Sequence, residues 1–301
     1  MIFDGFTFFN ELDLLKLRLD TMWDYVDKFI IVEARKTFTN EDKNLNYEEN
    51  KNSFKKYWEK IEYIVIDEFP DECKNAWDRE YYQRNAIYQG IRNSKPDDIL
   101  IVSDLDEIIS PYGVKRVKKI LKQDHEKVLK LELLNCWYFL NYADYKYFFL
   151  AAPVAYCTGH AGEGNEKNNI LLPQKARALK NCEIVQCAGW HFTYMGGMET
   201  IKNKIKSFSH QEYNTEEWLD DSRIMEMIKE GKDLFDRDLS EFGSLPIGYF
   251  MPKPVRKNKE SYEKYLCDFN PMPMKKKVKL TIKYLCETTW LRSLYHLLKK
   301  G

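Results

Sequence analysis

At 301 residues with 44% hydrophobic content, the chain can fill the core of a large α/β domain and is neither fibrous nor a disulfide-stapled miniature. Lys plus Arg (47) equals Asp plus Glu (47), which excludes a global electrostatic footprint for nucleic acid and leaves charge-driven binding to local patches. Seven cysteines, odd in number and without zinc-site spacing, are expected as reduced thiols; with no signal peptide and no apolar run long enough to cross a bilayer, the chain is expected in the cytoplasm.

"MIFDGFTFFN" opens the chain on a strand over 2–9. Asn10 and Asp13 resemble a helix start, with Leu12, Leu15, Leu19 and Met22 at helical spacing behind them. "KFIIVEA" (28–34), "IEYIVID" (61–67) and "DILIVSD" (98–104) are short continuous apolar strands, and between the last two Trp77, Tyr81, Arg84 or Asn85, and Tyr88 keep a helix period. Strands that are apolar on both faces and separated by helices predict a mainly parallel sheet flanked by helices, a Rossmann-like α/β architecture of nucleotide-binding type. The run over 128–142 alternates through Leu129, Leu131 and Leu133; Gly159, Gly162 and Gly164 then mark a mobile loop, and residues 189–213 predict a strand, a Gly-Gly turn and a helix.

From Met274 onward Lys275, Lys276, Lys277, Lys279, Lys283, Arg292, Lys299 and Lys300 face only Glu287, so the chain divides into a domain over 1–273 and a basic helical extension over 274–301. Leu280, Tyr284, Leu291, Leu294 and Leu298 could share one face of that helix, either against an anionic membrane as a peripheral contact or packed on the protein's own domain.

"ILIVSDLDEIIS" (99–110) runs from an apolar strand straight into Asp104, Asp106 and Glu107. In open α/β sheets ligands bind beyond the carboxyl ends of strands. If strand geometry persists through Leu105, the side chains at 104 and 106 point the same way and place two carboxylates within reach of one Mg²⁺ or Mn²⁺ ion. The competing assignment makes Asp104 a helix cap and Asp106 and Glu107 exposed loop acids. Glu33 ends its strand with Arg35 and Thr37 just after it, where a base or ribose would meet the first βα turn, and Arg79 and Arg84 carry the rigid fork suited to phosphate, unless they pair with surface acids.

The blocks "FDGFTFFNELDLLKLRL", "VDKFIIVEARKTFTN", "AWDREYYQRNAI", "DILIVSDLDEI" and "GWHFTYMGG…IKNKIKSFSHQE" resemble, in the same order over residues 2 to 213, those of glycosyltransferase family 17, which includes β-1,4-mannosyl-glycoprotein β-1,4-N-acetylglucosaminyltransferases. The resemblance implies a GT-A type fold, inverting transfer from a nucleotide sugar, UDP-GlcNAc, to a glycan or glycolipid acceptor, and a divalent metal, Mn²⁺ or Mg²⁺. It implies Asp106 as metal ligand, with Asp104 sharing the metal or holding the ribose and Glu107 behind them. It also implies the Arg84-Asn85 pair as a nucleotide contact, and His191 of "GWHF" as a ligand of the metal or diphosphate, against its role as a core histidine. His160 and His210 are weaker rivals. Inverting transfer needs a carboxylate to take the acceptor proton. Glu163 in the glycine-hinged loop is the choice, with Asp144 and Glu212 as alternatives. A metal-dependent nucleotidyltransferase and a non-catalytic nucleotide-sugar-binding module are the other readings, and no "GxxxxGK[ST]" string supports a phosphotransferase.

Overall fold

A computed structural model describes residues 1–150, 153–160, 171–237, 240–289 and 291–292. The first half alternates strand and helix: β1 (Ile2–Phe8), α1 (Leu12–Met22), β2 (Lys28–Ala34), α2 (Asn46–Asn50), β3 (Ile61–Ile66), α3 (Ala76–Asn85) and β4 (Ile99–Asp104). β5 (Glu107–Ile109) and α4 (Pro111–Leu121) follow, then β6 (Val128–Trp137), β7 (Tyr142–Phe149), β8 (Val154–Cys157), α5 (Pro173–Ala178) and β9 (Glu183–Thr193). The remainder is α6 (Met198–Ser207), α7 (Asp221–Glu230), β10 (Phe242–Ser244), α8 (Lys253–Lys257) and α9 (Met274–Thr288).

One ten-stranded sheet carries the fold in the order β10-β7-β6-β8-β4-β1-β2-β3, with β9 beside β6 and β5 beside β9. β3, β2, β1 and β4 run parallel, and from β8 outward the pairings are largely antiparallel. This mixed α/β sheet, parallel where nucleotide-binding folds are parallel, is the GT-A type organisation expected. Period-two alternation sorts the side chains onto two faces. Phe6, Phe29, Ile31, Ile99 and Ile101 join the main core under α1, while Phe3, Ile30, Val32, Leu100 and Val102 pack on the other side with Ile87 and Ile91.

The helix after β3 has its capping box at Asn75 and Asp78, as the polar start of the segment suggests. The helix forms as the spacing predicts and Arg84 of that spacing is buried, but Tyr81 is exposed and the other buried position is Gln83. The packing surface is supplied by the following turn, Ala86 to Ile91. α9 packs back on β7 and β9, with Leu280 and Tyr284 buried in the main core, so those two residues are not the exposed face of the basic helix. Leu294 and Leu298 lie outside the described residues. All seven cysteines are unpaired, and no helix among the described residues is long and apolar enough to cross a membrane.

Candidate active site

The strand carrying the acids ends at Asp104, not at 106; Leu105 and Asp106 form a turn and Glu107 starts β5. The reason is a side chain on α1. Arg18, fully buried, donates to both oxygens of the buried Asp4 (2.8 and 2.6 Å), and its Nη1 donates to the carbonyls of Asp104 (2.7 Å), Leu105 (3.1 Å) and Glu107 (3.0 Å). A guanidinium that collects successive carbonyls bends the chain out of the ladder there. Asp104 and Asp106 still line one cavity of about 410 Å³ at the carboxyl ends of β1 and β4, within the usual size of a ligand site.

Each acid there has met a cation. Asp104 accepts a bidentate fork from Arg177 (2.9 and 2.8 Å) and a further bond from Arg84 (3.0 Å). Burial opposes its ionisation, but Arg177 and Arg84 outweigh that and hold the carboxyl far below the usual carboxylate range. Asp106 accepts from the Lys204 ammonium at 2.7 Å and has His191 Nε2 at 3.8 Å from the same oxygen. Burial is again overcome, by Lys204 and His191, so its carboxyl is also lowered. Glu107 is pushed the other way: burial dominates, Arg177 opposes it, and the charges of Asp104 and Asp106 add to it.

His191 pairs across strands with Glu107, stacks on Phe149 at 3.9 Å, and has its Nδ1 2.9 Å from Asn135 Oδ1. Desolvation lowers its pKa to about 4 against the pull of Asp106, so the ring is neutral. An amide oxygen at Nδ1 fixes the tautomer with the proton on that atom, leaving the Nε2 lone pair toward Asp106. Neutral imidazole of this orientation beside one carboxylate is a donor set that suits a small divalent cation completed by substrate phosphates and water. Asp104 has both oxygens engaged by guanidinium groups, whereas Lys204 engages one oxygen of Asp106. Among the described residues no three His, Cys, Asp or Glu side chains gather as a closed metal cage. The residues therefore fit an open ion site on Asp106 and His191 rather than on the two aspartates together.

Thr37 and Arg84 reach the cavity wall, and His210 lines it beside Trp77. Several other expected residues do not. Glu33 is fully buried and accepts from the backbone N–H groups of Asn46 and Tyr47, from Lys43 and from Tyr63, so it organises the segment after β2 instead of touching a nucleotide. Arg35 turns to Asp67 on the surface (2.7 Å), and Arg79 donates to the Phe38 carbonyl (2.9 Å). Asn85 accepts from the Gln174 N–H (3.0 Å) and so seats α5, the helix that carries Arg177. Asp144 is buried under the N–H groups of Lys146 and Tyr147; His160 meets the His125 carbonyl, and Glu212 pairs with His210. Glu163 lies outside the described residues.

Local sequence does not mark Arg18, Arg177 or Lys204 as site residues. Arg177 sits in a polar six-residue helix with no local signal. Lys204 of "IKNKIKS" reads as one more lysine of a solvated helix face; the Gly-Gly turn, with φ +104° at Gly196 and +85° at Gly197, swings that helix over the acids.

The family model described as Glycosyltransferase family 17 matches residues 1–245. The β-1,4-mannosyl-glycoprotein 4-β-N-acetylglucosaminyltransferases of Homo sapiens and Rattus norvegicus are each 32% identical over 116 residues, which is 36% of this chain and 22% of each relative. Among solved structures, S. aureus TarS residues 1–349 aligns at 12% identity with a TM-score of 0.36, covering 71% of this chain and 66% of that one.

Proposed function

Because the chain belongs to glycosyltransferase family 17, we propose that this cavity transfers a sugar, N-acetylglucosamine from UDP-GlcNAc, with inversion, to a glycan or glycolipid acceptor. The observation that carries the reading is the convergence of Arg84, Arg177 and Lys204 on the acids that end β4. Breaking a glycosidic bond to a nucleoside diphosphate develops negative charge on the leaving group, and cations preset in a half-enclosed cavity stabilise it. The matched relatives are named as N-acetylglucosaminyltransferases, which supports the choice of sugar.

The parts divide as follows. Asp106 and His191 would hold Mn²⁺ or Mg²⁺, and the bound ion supplies Lewis-acid charge for the two phosphates. Lys204, 2.7 Å from Asp106, would meet the same phosphates as a second cation. Arg84 and Arg177 fix Asp104 in one orientation, which suits a ribose hydroxyl; Trp77, Phe38 and Thr37 border the cavity where a base would stack. For the acceptor proton, Glu11 is the cavity carboxylate nearest to free: its cationic neighbour, Lys204, stands 3.9 Å away, whereas Glu80 is engaged by Arg84 and Ser209.

Incubation with UDP-GlcNAc, with and without Mn²⁺, tests the reading. Metal-dependent release of UDP by slow hydrolysis is expected. Release of pyrophosphate would establish a nucleotidyltransferase instead, and donor binding without any turnover would establish a binding module.

A further inference from the structure

α9 has two apolar faces. Leu280 and Tyr284 pack into the core, yet Met274, Val278, Ile282 and Leu285 stand 69%, 48%, 51% and 38% exposed. Their spacing of four, four and three places them in one stripe along the outer side of the helix. Lys275 and Lys279 border the stripe on one side and Lys277 on the other. None of these three lysines has an ion-pair partner among the described residues, while Lys283 is engaged by Glu132 at 2.7 Å. The helix carries no carboxylate before Glu287, which is buried.

At the C-terminal end of the same helix lies a cavity of about 510 Å³ that shares no residue with the active-site cavity. Lys253, Arg256 and Lys257 line it without ion pairs of their own among the described residues, and the half-exposed Tyr249, joined to Thr288 through their hydroxyls, ties it to α9. Two of its wall residues, Thr21 and Tyr284, are more than nine-tenths buried with hydroxyls that meet no partner among the described residues. Of the carboxylates there, Asp20 is neutralised by Lys16 and Lys56 and Asp24 is at the exposed rim.

We propose that this flank docks on the surface of an anionic phospholipid bilayer, the stripe of α9 entering the acyl boundary while the flanking lysines and the cationic cavity meet lipid phosphates. A row of outward aliphatic side chains gains nothing from a soluble polyanion, and unpaired lysines gain nothing from an apolar protein groove. An anionic bilayer offers both chemistries. Basic residues set against anionic lipid contribute about fivefold each to partitioning at moderate ionic strength.

The test is co-sedimentation of the full chain with vesicles of phosphatidylcholine alone and of phosphatidylcholine mixed with phosphatidylserine. Binding confined to the anionic vesicles and weakened by added salt is expected. The Lys275→Gln, Lys277→Gln, Lys279→Gln triple variant should lose about a hundredfold in partitioning. Ile282→Ser with Leu285→Ser should lose about tenfold. All these side chains are at least partly exposed, and a melting curve checks that the variants fold. The Val278→Trp variant should show a blue shift in tryptophan emission on anionic vesicles that the parent lacks. Equal binding to neutral vesicles, absence of binding, or indifference to both variant sets would overturn the proposal. So would concentration-dependent dimerisation abolished by the Ile282→Ser, Leu285→Ser pair, which would assign the stripe to a second copy of the chain.

Discussion

Replacing Arg18 by Met tests the idea that a buried guanidinium shapes the catalytic turn. Met keeps the contact with the Phe6 ring, over which the guanidinium carbon stands at 4.2 Å, and deletes the charge. Three carbonyls, at Asp104, Leu105 and Glu107, lose their donor, and Asp4, fully buried, loses its only ion pair among the described residues. Removing one partner of a buried pair costs about 3–5 kcal/mol, mostly the penalty of the charge left behind. At about 2 °C per kcal/mol for a large domain, melting should fall by about 6–10 °C. Adding Asp4→Leu removes the stranded carboxylate, so the double variant should recover at least about 2 kcal/mol of that loss. UDP release should fall about tenfold or more in both variants, because the turn that orients Asp106 has lost its anchor. Differential scanning calorimetry and a UDP-release assay give the two numbers. An Arg18→Met protein that melts within a degree or so of the parent, or a double variant no better than the single, would refute the reasoning.

Asp106→Ala should leave the fold intact, since Lys204 keeps Glu11 nearby, and lower turnover by about 10²–10³-fold; normal UDP release would remove Asp106 from the metal site. His191→Ala should raise the Mn²⁺ concentration needed for half-activity about tenfold or more, read by metal titration, and a protein that unfolds instead would make His191 a core residue. Glu11→Gln should abolish transfer while leaving donor binding by calorimetry unchanged; if Glu163→Gln does this and Glu11→Gln does not, the base lies in the glycine-rich loop. Asp104 and Asp106 have carboxyls held below the ordinary range, so their contribution to stability is complete above about pH 4 and is lost as pH falls through the lowered values. Melting temperature should therefore drop on acidification below about pH 4, and less steeply in Lys204→Met; parallel profiles for the two proteins would sink this account.

The strand-helix alternation, the parallel half of the sheet and the position of the acids at the end of β4 were legible in the sequence. Each rests on a short-range signal: runs such as "ILIV" are apolar on both faces, and the acids that follow mark where that apolar run stops. The paired blocks likewise placed His191 after the acids, and β5 to β9 pairing brings it beside them. What surrounds the acids was decided by tertiary structure alone. Arg18, Arg177 and Lys204 lie 86, 73 and 98 residues from the Asp104 and Asp106 groups they bind, in helices whose own periodicity carries no mark of it. Burial supplies the physical reason. A carboxylate at the end of a parallel strand is removed from water by several elements at once, and only the fold determines which distant cation arrives to stabilise it. The same holds for α9: its lysines were plain in the sequence, but which of its two apolar faces packs inward depended on the sheet it meets.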